Sequence, residues 1–173
     1  MSGDVIAVDG PGVVVDGATA TITAAGTYTV SGALADGQIV VDTADETPVQ
    51  IILNGADIGS ATTAPLNVAK AGSVVIVLAD GTANTLTDAT AYVFANPDED
   101  EPNAALFSNA ELTITGHGAL TVSGNYNDAI SSDDGLTIDS GTITVSAADD
   151  GIRGKDYLVA VSYTHLRAHE TDS

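Results

Sequence analysis

The chain has 173 residues, with 24 Asp and Glu against four Lys and Arg, three His and no Cys, for a formal net charge of −20. Hydrophobic residues make up 44% of it, enough to offset the entropy of ordering the backbone, so composition predicts a folded protein rather than an acidic disordered tail. The length suits one domain. Nucleic acid is excluded as a partner because no basic patch could displace phosphate counterions, and the absence of Cys excludes disulfides and thiolate metal sites.

The N-terminal residues 1–12 are predicted to form a leader or cap segment that precedes the main domain. No charged segment followed by an apolar one occurs in the first thirty residues, so no signal peptide is visible. No stretch along the chain approaches 18 uninterrupted apolar residues, which predicts no insertion into a membrane.

From residue 13 onward the chain consists of short runs in which β-branched and polar residues alternate. Each run is bounded by Gly, Asn, Asp or Ser, which is typical of strands joined by tight turns. The runs start at Thr21, Thr27, Ile39, Val49, Val74, Leu112, Leu120, Leu136 and Ile143. This pattern predicts an all-β protein, and by itself it leaves a sandwich or a barrel open.

An internal repeat in the second half of the chain favours a third architecture. Two apolar residues six positions apart recur three times, at Leu106 and Leu112, at Ile130 and Leu136, and at Ile152 and Leu158. The copies start 24 and then 22 residues apart, and each interval contains a further matched strand. A repeat of this length with two or three short strands is typical of one coil of a parallel β-helix. We therefore predict a solenoid of coils of about 22–24 residues over residues 13–160.

In such a solenoid the inward residues of successive coils stack into a narrow aliphatic core, and outward Thr and Ser lie on exposed sheet faces. The predicted core residues are Ile22, Ile39, Ile51, Ile76, Leu106, Ile114, Ile130, Ile138 and Ile152. The repeat is interrupted within its last copy, so we expect a C-terminally incomplete solenoid with an unprotected strand edge.

Residues 161–173 differ in composition from everything before them. They bring two of the three His into a chain otherwise rich in Gly, Ala, Thr, Asp and Val. The string resembles the translation of a transposase-type sequencing adapter, so we interpret it as an artefactual tail. His165 and His169 are spaced like half of a zinc site, but for this reason they are left out of the functional interpretation.

Acidic residues recur at equivalent positions of the repeat, where stacking at the strand spacing of about 4.8 Å would make them neighbours. Asp128 is predicted to lie over Asp150, and Asp134 over Asp156. Carboxylates this close repel each other, and a hard cation such as Ca²⁺ relieves the repulsion with oxygen ligands. The predicted metal ligands are Asp128, Asp133, Asp134, Asp149, Asp150 and Asp156. The alternative is a solvated acidic turn in which Asp is favoured for its backbone conformation.

Polar and basic side chains beside these columns are candidate sugar contacts. We predict carbohydrate binding by Asn125, Tyr126, Asn127, Arg153 and Lys155. The predicted function is non-catalytic binding of a polysaccharide; polygalacturonate and cellulose are the two candidates that the family resemblance given next implies. A polysaccharide lyase is the enzymatic alternative, because a Ca²⁺ ion could acidify a sugar proton next to Arg153 and Lys155. A structural or adhesive surface module, in which calcium only stiffens the solenoid, is the third possibility.

The ordered series of motifs in residues 13–160 resembles a known bacterial family. The motifs are Gly37–Asp42, Val49–Gly55, Gly81–Thr87, Ala104–Ser108, Leu112–Gly116, Gly118–Ile138 and Gly141–Asp156. They are similar to those of secreted carbohydrate-binding domain-containing proteins with a pectate-lyase-like, right-handed parallel β-helix that carries calcium. Ala110 departs from the pattern, because the family usually has Asp there.

This resemblance implies an extracellular or cell-surface location, Ca²⁺ as the cofactor and cellulose or an acidic sugar as the ligand. We expect no catalytic residues. We also expect a monomer or one part of a longer multidomain chain.

Overall fold

The structure, a computed structural model, describes residues 5–94, 98, 101–160 and 165–170, and all its regular elements are β-strands. Eighteen strands occur among these residues, and the predicted all-β class is confirmed. The strands are β1 (Val5–Asp9), β2 (Val13–Asp16), β3 (Thr19–Ile22), β4 (Gly26–Leu34), β5 (Gln38–Asp42), β6 (Val49–Gly59), β7 (Leu66–Lys70), β8 (Ser73–Leu78), β9 (Ala83–Thr87), β10 (Ala104–Ser108), β11 (Glu111–Gly116), β12 (Ala119–Gly124), β13 (Asp128–Ser132), β14 (Gly135–Ile138), β15 (Thr142–Ala147), β16 (Ile152–Gly154), β17 (Tyr157–Ala160) and β18 (His165–Glu170).

The strands form an eleven-stranded sheet and a seven-stranded sheet, and nearly all pairs in them are parallel. In the second half of the chain each strand pairs with the strand three elements further on. This gives three stacks, namely β10–β13–β16, β11–β14–β17 and β12–β15–β18. Among the described residues, antiparallel pairs occur only near the N-terminus, where β1 lies against β4 and β2 lies against β3.

The register of the stacks is the one that the sequence repeat predicts. Leu106 pairs with Ile130, which pairs with Ile152. In the next stack Leu136 lies between Leu112 and Leu158. Because a shift by one residue would turn each strand's apolar side chains to the opposite face, the repeated apolar positions fix this register.

Strand β6 curls the larger sheet by pairing with two different strands. Its first part lies beside β8 and its second part beside β9, with a bend between them at Gly55, whose φ is 79°. The buried Asn84 side chain holds this bend, since its Oδ1 accepts hydrogen bonds from the Gly55 and Ala56 amides at 2.9 and 2.8 Å. Its Nδ2 donates to the Ala119 carbonyl.

The core is mostly aliphatic, with Tyr28 and Phe107 also buried, and the predicted core residues are fully buried except Ile152, which is partly buried. Leu158 occupies an inward position of its stack but is 47% exposed, because no further strand stacks on β17 among the described residues. The expectation that Ser side chains lie on exposed faces is wrong for Ser108, Ser131 and Ser132, which are buried.

The end of the chain continues the third stack, where His165–Glu170 pairs in parallel with β15. The interpretation of residues 161–173 as an artefactual tail concerns the origin of the sequence and stays a prediction. Residues 161–164 and 171–173, together with 1–4 of the predicted N-terminal segment, lie outside the described residues. No helix in the described part of the chain is long and apolar enough to cross a membrane.

Candidate functional site

The candidate site lies at a tight turn between β12 and β13. The turn consists of Asn125, Tyr126 and Asn127, and it begins at Gly124. A Cβ atom on Gly124 would lie only 2.2 Å from the Asp128 carbonyl oxygen, so no larger residue fits here without moving the backbone. The sequence Gly-Asn-Tyr-Asn-Asp therefore brings Asp128 to the first position of β13 with little freedom.

Asp128 is a fully buried carboxylate with one unpartnered oxygen. Its Oδ1 accepts a hydrogen bond from the Asp150 amide at 3.1 Å, while its Oδ2 is buried without a hydrogen-bond partner. The nearest cation is Arg153, whose Nη1 lies 3.9 Å from Oδ2 and whose side chain is half exposed. A buried carboxylate oxygen without a donor is costly, so this arrangement indicates a missing positive partner.

Three carboxylates converge at this point. Ligand oxygens of Asp128, Asp149 and Asp150 all lie within 4.8 Å of one another, and the latter two side chains are exposed. Backbone hydrogen bonds hold the three together, since the Asp149 amide donates to the Asn127 carbonyl at 2.9 Å and the Ala129 amide to the Asp150 carbonyl at 3.0 Å. The predicted stacking of Asp150 next to Asp128 is therefore confirmed.

The pKa of Asp128 is raised to about 6, chiefly by burial and also by the neighbouring carboxylates of Asp150 and Asp149. The Asp150 amide and the Arg153 guanidinium act in the opposite direction but do not compensate. The charged form of Asp128 thus lacks stabilisation that a bound cation would supply.

Asn103 contributes a second buried acceptor that sequence reasoning missed. Its carbonyl accepts a hydrogen bond from the Asp128 amide at 3.2 Å, and its own side-chain Oδ1 is buried without a partner. A signal for it was present, because Asn103 occupies the same repeat position as Asn127 and Asp149. Only the carboxylate-bearing members of that column were predicted as ligands.

The donor set at this turn fits a hard divalent cation. It consists of carboxylate and amide oxygens, and Ca²⁺ in proteins takes six to eight such ligands in flexible geometry. Asp128, Asp149 and Asp150 are the residues that would hold the ion. Asp128 Oδ2 and Asn103 Oδ1 are buried acceptors without donors. A backbone hydrogen bond joins these two residues.

The other predicted ligands lie at the opposite end of β13 and do not converge in this way. Asp134 uses its Oδ1 to accept a hydrogen bond from the Gly135 amide at 2.9 Å, and its carbonyl accepts one from the Asp156 amide at 3.2 Å. Asp133 is partly buried and Asp156 is exposed. In the described part of the chain, no group of three carboxylates within ligand distance includes Asp133, Asp134 or Asp156.

The predicted sugar contacts are divided between the two ends of β13. Asn125, Tyr126 and Asn127 form the turn that leads into Asp128, and Tyr126 is 37% exposed. Arg153 lies next to Asp128. Lys155 is exposed and follows β16, where its amide donates to the Ser132 carbonyl at 2.9 Å, so it belongs to the far end.

Comparison with known proteins agrees with the resemblance inferred from the motifs. A family model described as "Carbohydrate-binding domain-containing protein" matches residues 16–170. A protein of the same description from Acetivibrio thermocellus is 44% identical over 126 residues, which is 73% of this chain and 44% of that protein. The chain therefore spans less than half the length of this relative.

The fold is similar to that of a solved structure described as a polysaccharide lyase-like protein from C. thermocellum, in a gadolinium derivative. The TM-score is 0.80 and the sequence identity 27%, and the match covers 94% of this chain and 86% of that one.

Proposed function

Since the chain belongs to the family of carbohydrate-binding domain-containing proteins, we propose that it is a non-catalytic module that binds an acidic cell-wall polysaccharide through calcium. Polygalacturonate is the ligand whose chemistry fits best, and cellulose is the neutral alternative. The family membership supports the carbohydrate-binding role. The residues of the candidate site support the proposed metal and the choice of sugar.

The proposal includes the architecture of the whole domain, which we take to be a right-handed parallel β-helix. Three stacks of parallel strands with in-register apolar residues support it. A TM-score of 0.80 to a polysaccharide lyase-like structure supports it as well. In a β-helix the turn at Asn125–Asn127 repeats on one side of the solenoid, which is where a linear polymer could lie along several coils.

The observation that carries the calcium proposal is the buried, unpartnered Oδ2 of Asp128 among two further carboxylates. A protein of charge −20 repels a polyuronate, and a bound Ca²⁺ reverses this locally because it can share its ligands between protein and sugar carboxylates. Gadolinium, present in the similar solved structure, is likewise a hard ion that prefers oxygen ligands.

A lyase is the second candidate, and the description of the similar structure as lyase-like favours it. Lyase chemistry needs a base beside the metal, and Arg153 lies 3.9 Å from Asp128 Oδ2. The guanidinium is a planar fork of hydrogen-bond donors, so Arg153 is better suited to orient a sugar carboxylate than to act as that base.

Location and assembly follow from the proposed ligand. A cell-wall polysaccharide is reached outside the cell, so we place the protein in the extracellular space or on the cell surface. The chain would act as a monomer or as one part of a longer protein, which agrees with the greater length of the relative from A. thermocellus. In the third alternative, a structural or adhesive module, calcium would bind without any sugar.

Calorimetric titration tests these proposals in order. The protein is titrated with Ca²⁺, and then with oligogalacturonate and cello-oligosaccharide in Ca²⁺ and in chelator. We expect heat from Ca²⁺ and from oligogalacturonate in Ca²⁺ alone. Calcium binding without sugar binding would support the structural module, and no heat with calcium would overturn the metal proposal. Absorbance of unsaturated products from polygalacturonate would reveal a lyase.

A further inference from the structure

An aromatic cluster lies beside the candidate metal site, and the residues that hold it come from outside the repeat. The chain has five Tyr, two Phe and no Trp. Three of these rings meet here, with Tyr92 stacked on Tyr126 at a centroid distance of 4.2 Å and an interplanar angle of 16°. Phe94 lies at a tilt against Tyr92 at 6.1 Å. Tyr92 and Phe94 belong to the segment that follows β9.

A buried carboxylate fixes the stacked pair. Asp88, only 4% exposed, accepts hydrogen bonds from the Tyr92 hydroxyl on Oδ2 and from the Asn125 amide on Oδ1. The Asn125 side-chain amide donates to the Asp88 carbonyl at 3.1 Å. Asp88 thus joins the segment after β9 to the turn that leads into Asp128, and it sets the position of both rings.

Burial and charge determine which group of this contact holds the proton. Burial, followed by the Asp88 carboxylate, raises the pKa of the Tyr92 phenol, so the phenol keeps its proton and remains the donor. Burial also raises the pKa of Asp88. The hydrogen bonds from the Tyr92 hydroxyl and from the turn amides lower the pKa of Asp88.

Part of the Tyr126 side chain remains accessible. Tyr92 covers one face of the ring, yet Tyr126 is 37% exposed. A shallow cleft of about 210 Å³ lies at the same turn. Its lining residues are Thr90, Gly124, Asn125, Ser146, Ala147 and Ala148. Sites for drug-sized ligands have volumes of about 300–1,000 Å³, so this cleft suits a smaller group such as a single sugar ring.

We propose that Tyr126 is a stacking platform for one uronate ring, and that Asp88 and Tyr92 are the positioning residues that hold it. This inference rests on the proposed calcium-dependent binding and names where the sugar lies. The apolar C–H face of a pyranose packs on an aromatic face. Because Tyr126 precedes Asp128 by two residues, a ring on the platform lies beside the cation, which can take its carboxylate. The cleft at the same turn, which Thr90 and Ser146 line and Tyr126 does not, would take a polar substituent of the ring.

The first test replaces the platform. Tyr126→Leu keeps an apolar side chain but removes the aromatic face, and Tyr157→Leu on β17 is the matched control, because Tyr157 is similarly exposed at 41%. Titration with oligogalacturonate in saturating Ca²⁺ should give affinity about 2- to 12-fold weaker for Tyr126→Leu and unchanged for Tyr157→Leu. Both variants should bind Ca²⁺ like the wild type.

The second test separates positioning from mere packing. Tyr92→Leu removes the stack, whereas Tyr92→Phe keeps the stack and loses only the bond to Asp88. We expect Tyr92→Leu to weaken sugar binding as Tyr126→Leu does, and Tyr92→Phe to restore most of it. Because the chain has no Trp, the near-ultraviolet circular dichroism of tyrosine reports the stack directly. A purely structural Tyr92 would lower the melting temperature in the Leu variant and leave the sugar affinity unchanged.

The outcomes distinguish the two levels of the proposal. If the wild type binds no oligogalacturonate in Ca²⁺, the proposed function fails and this inference fails with it. If the wild type binds and Tyr126→Leu binds equally well, only the platform is overturned. Weaker binding by Tyr126→Leu together with unchanged Ca²⁺ binding supports the platform.

Discussion

The two ends of β13 carry similar sequences but have different structures. At the first end, Asp128 is buried with an unpartnered oxygen and meets Asp149 and Asp150 within 4.8 Å. At the other end, Ser132 is also buried, but its hydroxyl donates to the Ala110 carbonyl and accepts from the Asp134 amide, each at 3.1 Å. The buried carboxylate oxygen at the first end therefore lacks a hydrogen-bond donor, whereas the buried hydroxyl at the other end makes two hydrogen bonds within the protein.

The comparison shows why acidic columns in a repeat do not by themselves define a metal site. Asp134 stacks on Asp156 as regularly as Asp128 does on Asp150, and both pairs are joined by a hydrogen bond. The difference is a buried oxygen without a donor, since a carboxylate in water or one with hydrogen-bond donors needs no cation, whereas Asp128 Oδ2 has neither water nor a donor. We therefore expect the two ends to respond differently to calcium, to pH and to substitution.

The largest expected difference is in calcium-dependent stability. Calcium at a hundred times its dissociation constant should stabilise the wild type by about 2.7 kcal/mol, which corresponds to a rise in melting temperature of about 5–10 °C. Asp128→Asn keeps an oxygen to accept from the Asp150 amide but removes the ligand charge, so this rise should disappear. Thermal unfolding followed by circular dichroism, with and without chelator, measures it.

Asp134→Asn is the matched control, because it removes the same charge from the other end of the strand. It should retain the full calcium response. Equal loss in both variants would mean that calcium acts through the overall charge of −20 and not through a site at Asp128.

Much of the fold could be predicted from the sequence, because the repeat determines the register. The alignment of Leu106, Ile130 and Ile152 predicted the pairs that the structure has. Antiparallel pairing of β1 with β4 was not predicted, because it lies outside the repeat. The role of Asn84 was not predicted either, since a polar residue in an apolar column gives no hint of which backbone amides it will meet.

The candidate site could be predicted only in part, for a related reason. Repeat positions brought Asp128 and Asp150 together correctly, but they treated Asp133, Asp134 and Asp156 as equivalent ligands. Which carboxylate is buried depends on the neighbouring strands and turns, and an alignment of the repeats does not show these neighbours. The hydrogen bond that joins Asp88 to Tyr92 was missed because the connection from β9 to β10 is much longer than the corresponding connections from β12 to β13 and from β15 to β16.

The next difference concerns pH in the absence of metal. Asp128 has a pKa of about 6 in the folded protein, against 3.8 for an ordinary Asp, so the folded state holds a proton that the unfolded state has lost between these values. Stability should therefore decrease as pH rises from about 4 to about 6, by about 1–3 kcal/mol, and stay lower above that.

Urea unfolding in chelator at several pH values measures this effect, and Asp128→Asn is the reference that isolates it. Because the variant cannot ionise at this position, its stability should not show this part of the decrease with pH. It should therefore be more stable than the wild type at pH 7. Identical profiles for the two proteins would contradict a raised pKa at Asp128.

A smaller effect is expected at the opposite end from Ser132→Ala. The change leaves the Asp134 amide without its acceptor and the Ala110 carbonyl with one donor fewer, although Ser108 also donates to that carbonyl at 2.7 Å. We expect a loss of about 1–2 kcal/mol that is the same with calcium and with chelator. A loss that calcium reverses would place a metal site at this end as well.

The smallest effect is expected from Asp156→Asn, the exposed partner of Asp134. The backbone amide of residue 156 would still donate to the Asp134 carbonyl, and an exposed carboxylate in water contributes little, so stability should change by less than about 0.5 kcal/mol. The calcium response should equal that of the wild type in the same thermal unfolding experiment. A reduced response would show that Asp156 shares an ion with Asp134, and the contrast between the two ends of β13 would then be one of affinity rather than of presence.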